Sequence, residues 1–91
     1  MKKKEKLKKA VALGYNEKVD SAPKVLAKGK GFLAEKMIEI ARESGVEIYE
    51  DADLVEVLSA VEIDSEIPKE LYRAVAEVLA FIYTINSKKI R

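Results

Sequence analysis

The chain has 91 residues, enough for one domain and one modest core, and such a domain buries about 60–65% of the surface its unfolded form exposes. With 48% apolar and 36% charged residues the composition is that of an ordered soluble protein, and the lack of any cysteine or histidine excludes disulfides, thiol chemistry, thiolate or imidazole metal ligands and the commonest general base. The net charge of +1 conceals segregation: residues 1–9 carry six lysines against Glu5, whereas residues 10–87 hold eight basic and fifteen acidic side chains, a net of −7.

Residues 1–9 form a basic lead-in. They resemble the start of a signal peptide, but the apolar run behind them, Ala10 to Leu13, is shorter than the roughly 7–15 residues an export signal needs. The longest apolar run anywhere, Val78 to Tyr83, is far below the roughly 20 residues of a membrane helix, so a cytoplasmic location is expected. Ala10 to Tyr15 reads as a short buried strand. Asn16 to Ala22 is loop-like and closes on Ala22-Pro23, where proline biases its predecessor toward an extended conformation and cannot donate to a sheet. Lys24 to Lys28 alternates, with Val25 and Ala27 on one side, until Gly29 to Gly31 interrupts it.

Phe32 to Ser44 has helical periodicity. Leu33, Ala34, Met37, Ile38, Ile40 and Ala41 share a face, and Gly45 offers a left-handed stop. Val46 to Glu50 alternates like a strand. Asp53, with Glu56 three residues on, suggests a capped short helix whose apolar side is Leu54, Val57, Leu58 and Val61. Pro68 fits the first turn of a long final helix. At about 100° per residue, Leu71, Val75, Val78, Ile82 and Ile85 make one stripe, and Tyr72, Ala76, Leu79 and Tyr83 make a second row beside it. Residues 88–91 form a basic tail.

This order predicts an α/β fold: one domain over residues 10–87, with a small mixed sheet of three to four strands surrounded by helices. A strand-helix-strand crossover would give a parallel pair, followed by the long C-terminal helix. The residue patterns alone account for about three strands.

Catalytic signatures are weak. Gly29-Lys30-Gly31 lacks the spacing and the Lys-Ser/Thr pair of a phosphate-binding loop and reads as a turn. Glu47 to Glu66 contains eight acids and no base, but no nucleophile or general base converges on them, so they read as a solvated or partner-facing surface. No enzyme activity, metal or cofactor is expected. The lysine-rich start could contact nucleic acid or an anionic surface, though no aromatic residue accompanies it to stack on bases. The surplus apolar row on the final helix needs a cover. Either its own domain supplies one, or the row and the Ala22-Pro23 loop frame a shallow peptide groove.

Three blocks, Ala10-Val11-Ala12-Leu13, Ala22-Pro23-Lys24-Val25-Leu26-Ala27-Lys28-Gly29 and Glu66-Ile67-Pro68 running on to Ala80, resemble the C-terminal cytoplasmic domain of the FlhB/YscU/EscU family of type III secretion switch proteins. The resemblance covers residues 10–85 and is looser around Leu58 to Ile63. It implies a sheet of about four strands, one from the segment ahead of the family's cleavage site. It also implies a protein-docking surface at Ala22, Pro23, Ala76 and Leu79. Two departures accompany it: this chain contains no membrane domain, and no Asn-Pro-Thr-His, the stretch in its place being Glu5 to Lys9 (EKLKK). In the family the asparagine amide attacks its own carbonyl and cuts the backbone.

The resulting expectation is a non-catalytic, cytoplasmic protein-binding component of the flagellar or type III export apparatus, with export-apparatus proteins and export substrates as partners and no nucleic acid. The alternatives are nucleic-acid or anionic-surface binding through the lysines, and an inert structural paralogue. Because the Asn-Pro pair is missing, the purified chain should keep its full mass on prolonged incubation at neutral pH. Mass spectrometry showing two complementary backbone fragments would contradict this.

Overall fold

A computed structural model describes residues 8–16 and 18–89, with side chains as far as residue 85. Most of the basic lead-in and the side chains of the basic tail therefore lie outside the described residues. The elements in chain order are strand β1 (Lys9–Gly14), strand β2 (Lys24–Lys30), helix α1 (Phe32–Glu43), helix α2 (Ala52–Leu58), a 3-10 turn (Lys69–Leu71) and helix α3 (Tyr72–Lys89).

β1 and β2 pair antiparallel, with Ala10 opposite Gly29, Val11 opposite Lys28 and Ala12 opposite Ala27. The next pair is Leu13 with Val25, so Leu26 is an extra residue that bulges out of β2. Directly opposed residues share a sheet face. Val11, Leu13, Val25 and Lys28 therefore point to one side, while Ala12 and Ala27 point to the other. The expected alternation, with Val25 and Ala27 together, is broken by this bulge.

On the Val25 face lies the core. Val25, Leu58, Ile67 and Val75 are almost fully buried, with Val11, Leu13, Leu54, Val61, Leu71 and Leu79 packed against them. Each such side chain contributes on the order of 1.5–3 kcal/mol through burial. The opposite face carries α1. A Cβ placed on Gly29 would sit 2.8 Å from Leu33 Cγ and 2.9 Å from Met37 Sδ, so only glycine lets the helix approach this closely. α1 ends as Gly45 predicts: its φ is 77°, its N–H donates to the Arg42 carbonyl (3.2 Å), and the Val46 N–H donates to the Ala41 carbonyl (2.8 Å). Both bonds of the left-handed helix stop are thus formed.

Several expectations are corrected. Among the described residues the sheet has two strands rather than three or four, and no strand-helix-strand crossover forms. Val46 to Glu50 is not a strand. The edge of β2 where a third strand would start is taken by a later segment. The Val25 N–H donates to the Ser65 carbonyl (3.0 Å), the Asp64 N–H to the Val25 carbonyl (2.6 Å) and the Ile67 N–H to the Pro23 carbonyl (2.9 Å), with a single bridge between Lys24 and Glu66. Asp64, at φ 73°, makes the sharp turn that brings this segment in; aspartate tolerates that conformation better than most side chains. Tyr49 instead meets Phe81 of α3 edge to face, with ring centroids 5.5 Å apart.

The cap of α2 is Asp51 rather than Asp53, its carboxylate accepting from the Leu54 N–H at 3.0 Å. Pro68, extended at φ −66° and ψ 154°, precedes the 3-10 turn instead of opening the helix itself.

Lys28 Nζ donates to the carbonyls of Ser59 (3.0 Å) and Val61 (2.7 Å), joining the sheet to the C-terminal end of α2. Orphan carbonyls at a helix end are favourable places for a cation. Lys9 Nζ reaches Glu56 at 2.8 Å, a pair whose carboxylate side is 62% exposed. Removing the first contact strands two half-buried carbonyls, and removing the second frees groups that water can solvate. Lys28→Met should therefore lower urea-unfolding stability by about 1–3 kcal/mol, and Lys9→Met by less than about 1 kcal/mol. Equal losses would show that the Lys28 tie contributes nothing special.

Candidate functional site: an apolar groove between the 15–23 loop and the final helix

The loop joining β1 to β2 is held by its own polar groups. The Asn16 side chain accepts from the Lys18 N–H (3.0 Å), the Asn16 N–H donates to Asp20 Oδ2 (2.8 Å), and the Val19 and Asp20 N–H groups both donate to the Asn16 carbonyl. Such an asparagine-nucleated turn needs no partner from the core. Ser21 Oγ then donates to Glu66 Oε2 at 3.0 Å, and the Pro23 carbonyl accepts from Ile67. Ala22 and Pro23 are thus fixed against the segment that leads into α3.

Facing them are the first turns of α3. Tyr72, Ala76 and Leu79 succeed each other at helical spacing, and with Tyr15, Ser21, Ala22 and Pro23 they line an apolar groove of about 210 Å³. The four residues singled out in the sequence, Ala22, Pro23, Ala76 and Leu79, all line this groove. Their accessibility differs. Ala76 is exposed and Pro23 is half-buried, but Ala22 is only 2% exposed and Leu79 packs on the core cluster. Ala22 and Leu79 form the floor, and Ala76 is the accessible rim.

Two tyrosines complete the rim: Tyr15 is 46% exposed and Tyr72 is 41% exposed. Tyr72 was visible in the sequence as the residue one turn before Ala76 in the second apolar row. Tyr15 carried no such signal, because only the path of the loop brings it beside α3. Exposed tyrosines suit a binding rim, offering a large rigid apolar face with a hydroxyl that stays wet.

The groove is smaller than the roughly 300–1,000 Å³ of small-molecule pockets, and its lining contains no carboxylate, amine or imidazole. It can accept apolar side chains but has no group placed for acid–base or metal chemistry. Among the described residues no cluster of three or more possible metal ligands occurs, and no helix is long and apolar enough to cross a membrane.

Known proteins share this sequence pattern and fold. The profile described as the FlhB HrpN YscU SpaS Family matches residues 7–82. The uncharacterized protein YlqH of Bacillus subtilis is 45% identical over 86 residues, covering 94% of this chain and 92% of YlqH. The flagellar biosynthetic protein FlhB of Aquifex aeolicus is 43% identical over 82 residues, covering 89% of this chain but 23% of that protein. Among solved structures, the cytoplasmic domain of FlhB from Shewanella putrefaciens superposes with a TM-score of 0.84 at 35% identity, over 89% of this chain and 64% of that one. The C-terminal domain of PscU superposes with a TM-score of 0.78 at 28% identity, over 85% of this chain and 96% of that one. The chain therefore spans nearly all of YlqH and about a quarter of the Aquifex FlhB.

Floor and rim differ in what they tolerate. Ala22→Asp forces a carboxylate into a fully enclosed position and should unfold the domain or lower its Tm by well over 10 °C, at several kcal/mol for an unpaired buried charge. Ala76→Asp lies in water and should change stability by no more than about 0.5 kcal/mol. Thermal melts of the two variants read the contrast directly.

Proposed function

The chain belongs to the FlhB HrpN YscU SpaS family, and from that premise we propose that it acts by docking proteins in the cytoplasm as part of flagellar or type III export, without catalysis. The observation that carries this reading is the groove. Two segments far apart in sequence, residues 15–23 and 72–79, converge on one apolar depression whose exposed members, Tyr15, Tyr72 and Ala76, have no structural need to be apolar. Burial of one or two partner side chains there gives modest affinity and fast exchange, as a surface receiving many different export substrates in succession requires.

The absence of Asn-Pro anywhere in the sequence supports a role separated from backbone cleavage. In this reading the chain resembles the family's C-terminal domain after cutting and assists or competes with a longer FlhB for the same partners. Among the described residues no lysine lines this groove.

The structure also selects the variants for the test. Leu79 supports the core, so replacing it confounds binding with folding. Tyr72→Asp combined with Ala76→Asp alters only exposed rim positions. Crosslinking of tagged chain in a native lysate should capture export-apparatus proteins and export substrates. The double variant should lose at least tenfold of that capture while its Tm stays within a few degrees of the parent. Undiminished capture by the variant, or recovery of ribosomal proteins alone, overturns the reading.

A further inference from the structure

A second groove, sharing no residue with the first, lies where α2 meets the connection to α3. It measures about 440 Å³, with Val57, Ala60, Val61 and Leu71 among its apolar lining and Glu62 and Glu70 beside them. Val57 is 49% exposed, so an apolar wall faces water. The described lining holds no basic residue, and the ammonium of Lys28 is taken up by the Ser59 and Val61 carbonyls. This chemistry suits a short segment that combines several positive charges with one aliphatic side chain.

The chain carries such a segment beside the groove. Lys2 to Leu7 holds four lysines, Glu5 and a single aliphatic residue, Leu7. Its point of departure is fixed by two contacts. The Lys8 carbonyl accepts from the Gly31 N–H at 2.7 Å, and Lys9 Nζ meets Glu56, the neighbour of groove-lining Val57, at 2.8 Å. Six extended residues span about 20 Å, whereas Glu56 to Ala60 covers roughly 6 Å along a helix axis. The segment is therefore long enough to turn back along α2. We propose that Lys2 to Leu7 covers the groove of its own molecule, with Leu7 against Val57 and Ala60 and lysines against Glu62 and Glu70. Exposed ion pairs are too weak and too easily screened by salt to hold a separate peptide of this size. A tether supplies an effective concentration in the millimolar range, which lets the same weak pairs close the groove within one chain. The basic lead-in thus acts as a salt-sensitive cover over an apolar surface that is separate from the first groove.

The chain has no cysteine, so an introduced pair of thiols reports the contact. In the full chain, Lys6→Cys with Ala60→Cys keeps Leu7 and puts one thiol in the segment and the other on an exposed wall of the groove. Lys6→Cys with Phe32→Cys is the comparison. Phe32 is 77% exposed and follows Gly31, where the segment departs, so an undirected segment meets it first. At roughly 20 mM salt and low protein concentration, diamide should close the Ala60 pair within one molecule at least about tenfold faster than the Phe32 pair, and roughly 300 mM salt should remove that advantage. Non-reducing gels and thiol counts follow the reaction. Glu62→Lys with Glu70→Lys should also remove the advantage at low salt, and so should Leu7→Ser. Both glutamates are exposed, so the charge-reversed chain should keep its Tm within a few degrees of the parent. A Phe32 pair that closes as fast or faster, an advantage that survives charge reversal or Leu7→Ser, or disulfide-linked dimers as the main product refutes the proposal. Tyr72→Asp/Ala76→Asp should leave the advantage intact. Its loss there would assign the contact to the first groove and also refutes the proposal, leaving the export reading to its own test.

Discussion

One extra residue in β2 sets the architecture. Because Leu26 bulges from the ladder, Val25 and Lys28, three apart in sequence, face the same side of the sheet. Val25 enters the core, and Lys28 reaches past it to the carbonyls at the end of α2. Without the bulge, one of the two would point at α1. Either the core would lose its most enclosed side chain or α2 would lose the cation that satisfies its end. Both contacts act on the same connection, residues 59–67, and that connection in turn places α3.

The same connection shapes both grooves. Its end, at Ser65 to Ile67, is stitched to Pro23 and Val25 by backbone hydrogen bonds and to Ser21 through Glu66, which holds the loop wall of the first groove against α3. Its beginning, at Val61 and Glu62, forms a wall of the second. The domain thus presents two apolar depressions of different electrostatic character on one rigid strut. One is uncharged and rimmed by tyrosines, and the other is edged by carboxylates. An interaction surface gains specificity from such differences more than from area.

Much of this was legible in the sequence because local rules were not overruled. The 3.6-residue period of α1, the left-handed Gly45 and the two rows on α3 each follow from residues within a few positions of one another. Ala76 and Leu79 followed from the second apolar row of the final helix and Ala22-Pro23 from the proline-stiffened loop, and the resemblance in three separated blocks marked the four together as a docking surface. What failed depended on pairing. Val46 to Glu50 alternates as a strand does, yet five residues of alternation cannot say whether a sheet edge is free to receive them, and here residues 64–67 have taken it. The bulge at Leu26 was hidden for the same reason, since an insertion exists only relative to a partner strand.

The sequence by itself therefore determined the helices, their stops and the family. These follow from spacing, backbone freedom and the order of matching segments. Only the tertiary structure decided that the sheet stops at two strands among the described residues, that Ala22 is floor while Ala76 is rim, and that Tyr15 joins the groove. Those outcomes depend on which of several chemically adequate segments reaches a shared edge or face. Competition of that kind is resolved by packing the whole chain at once.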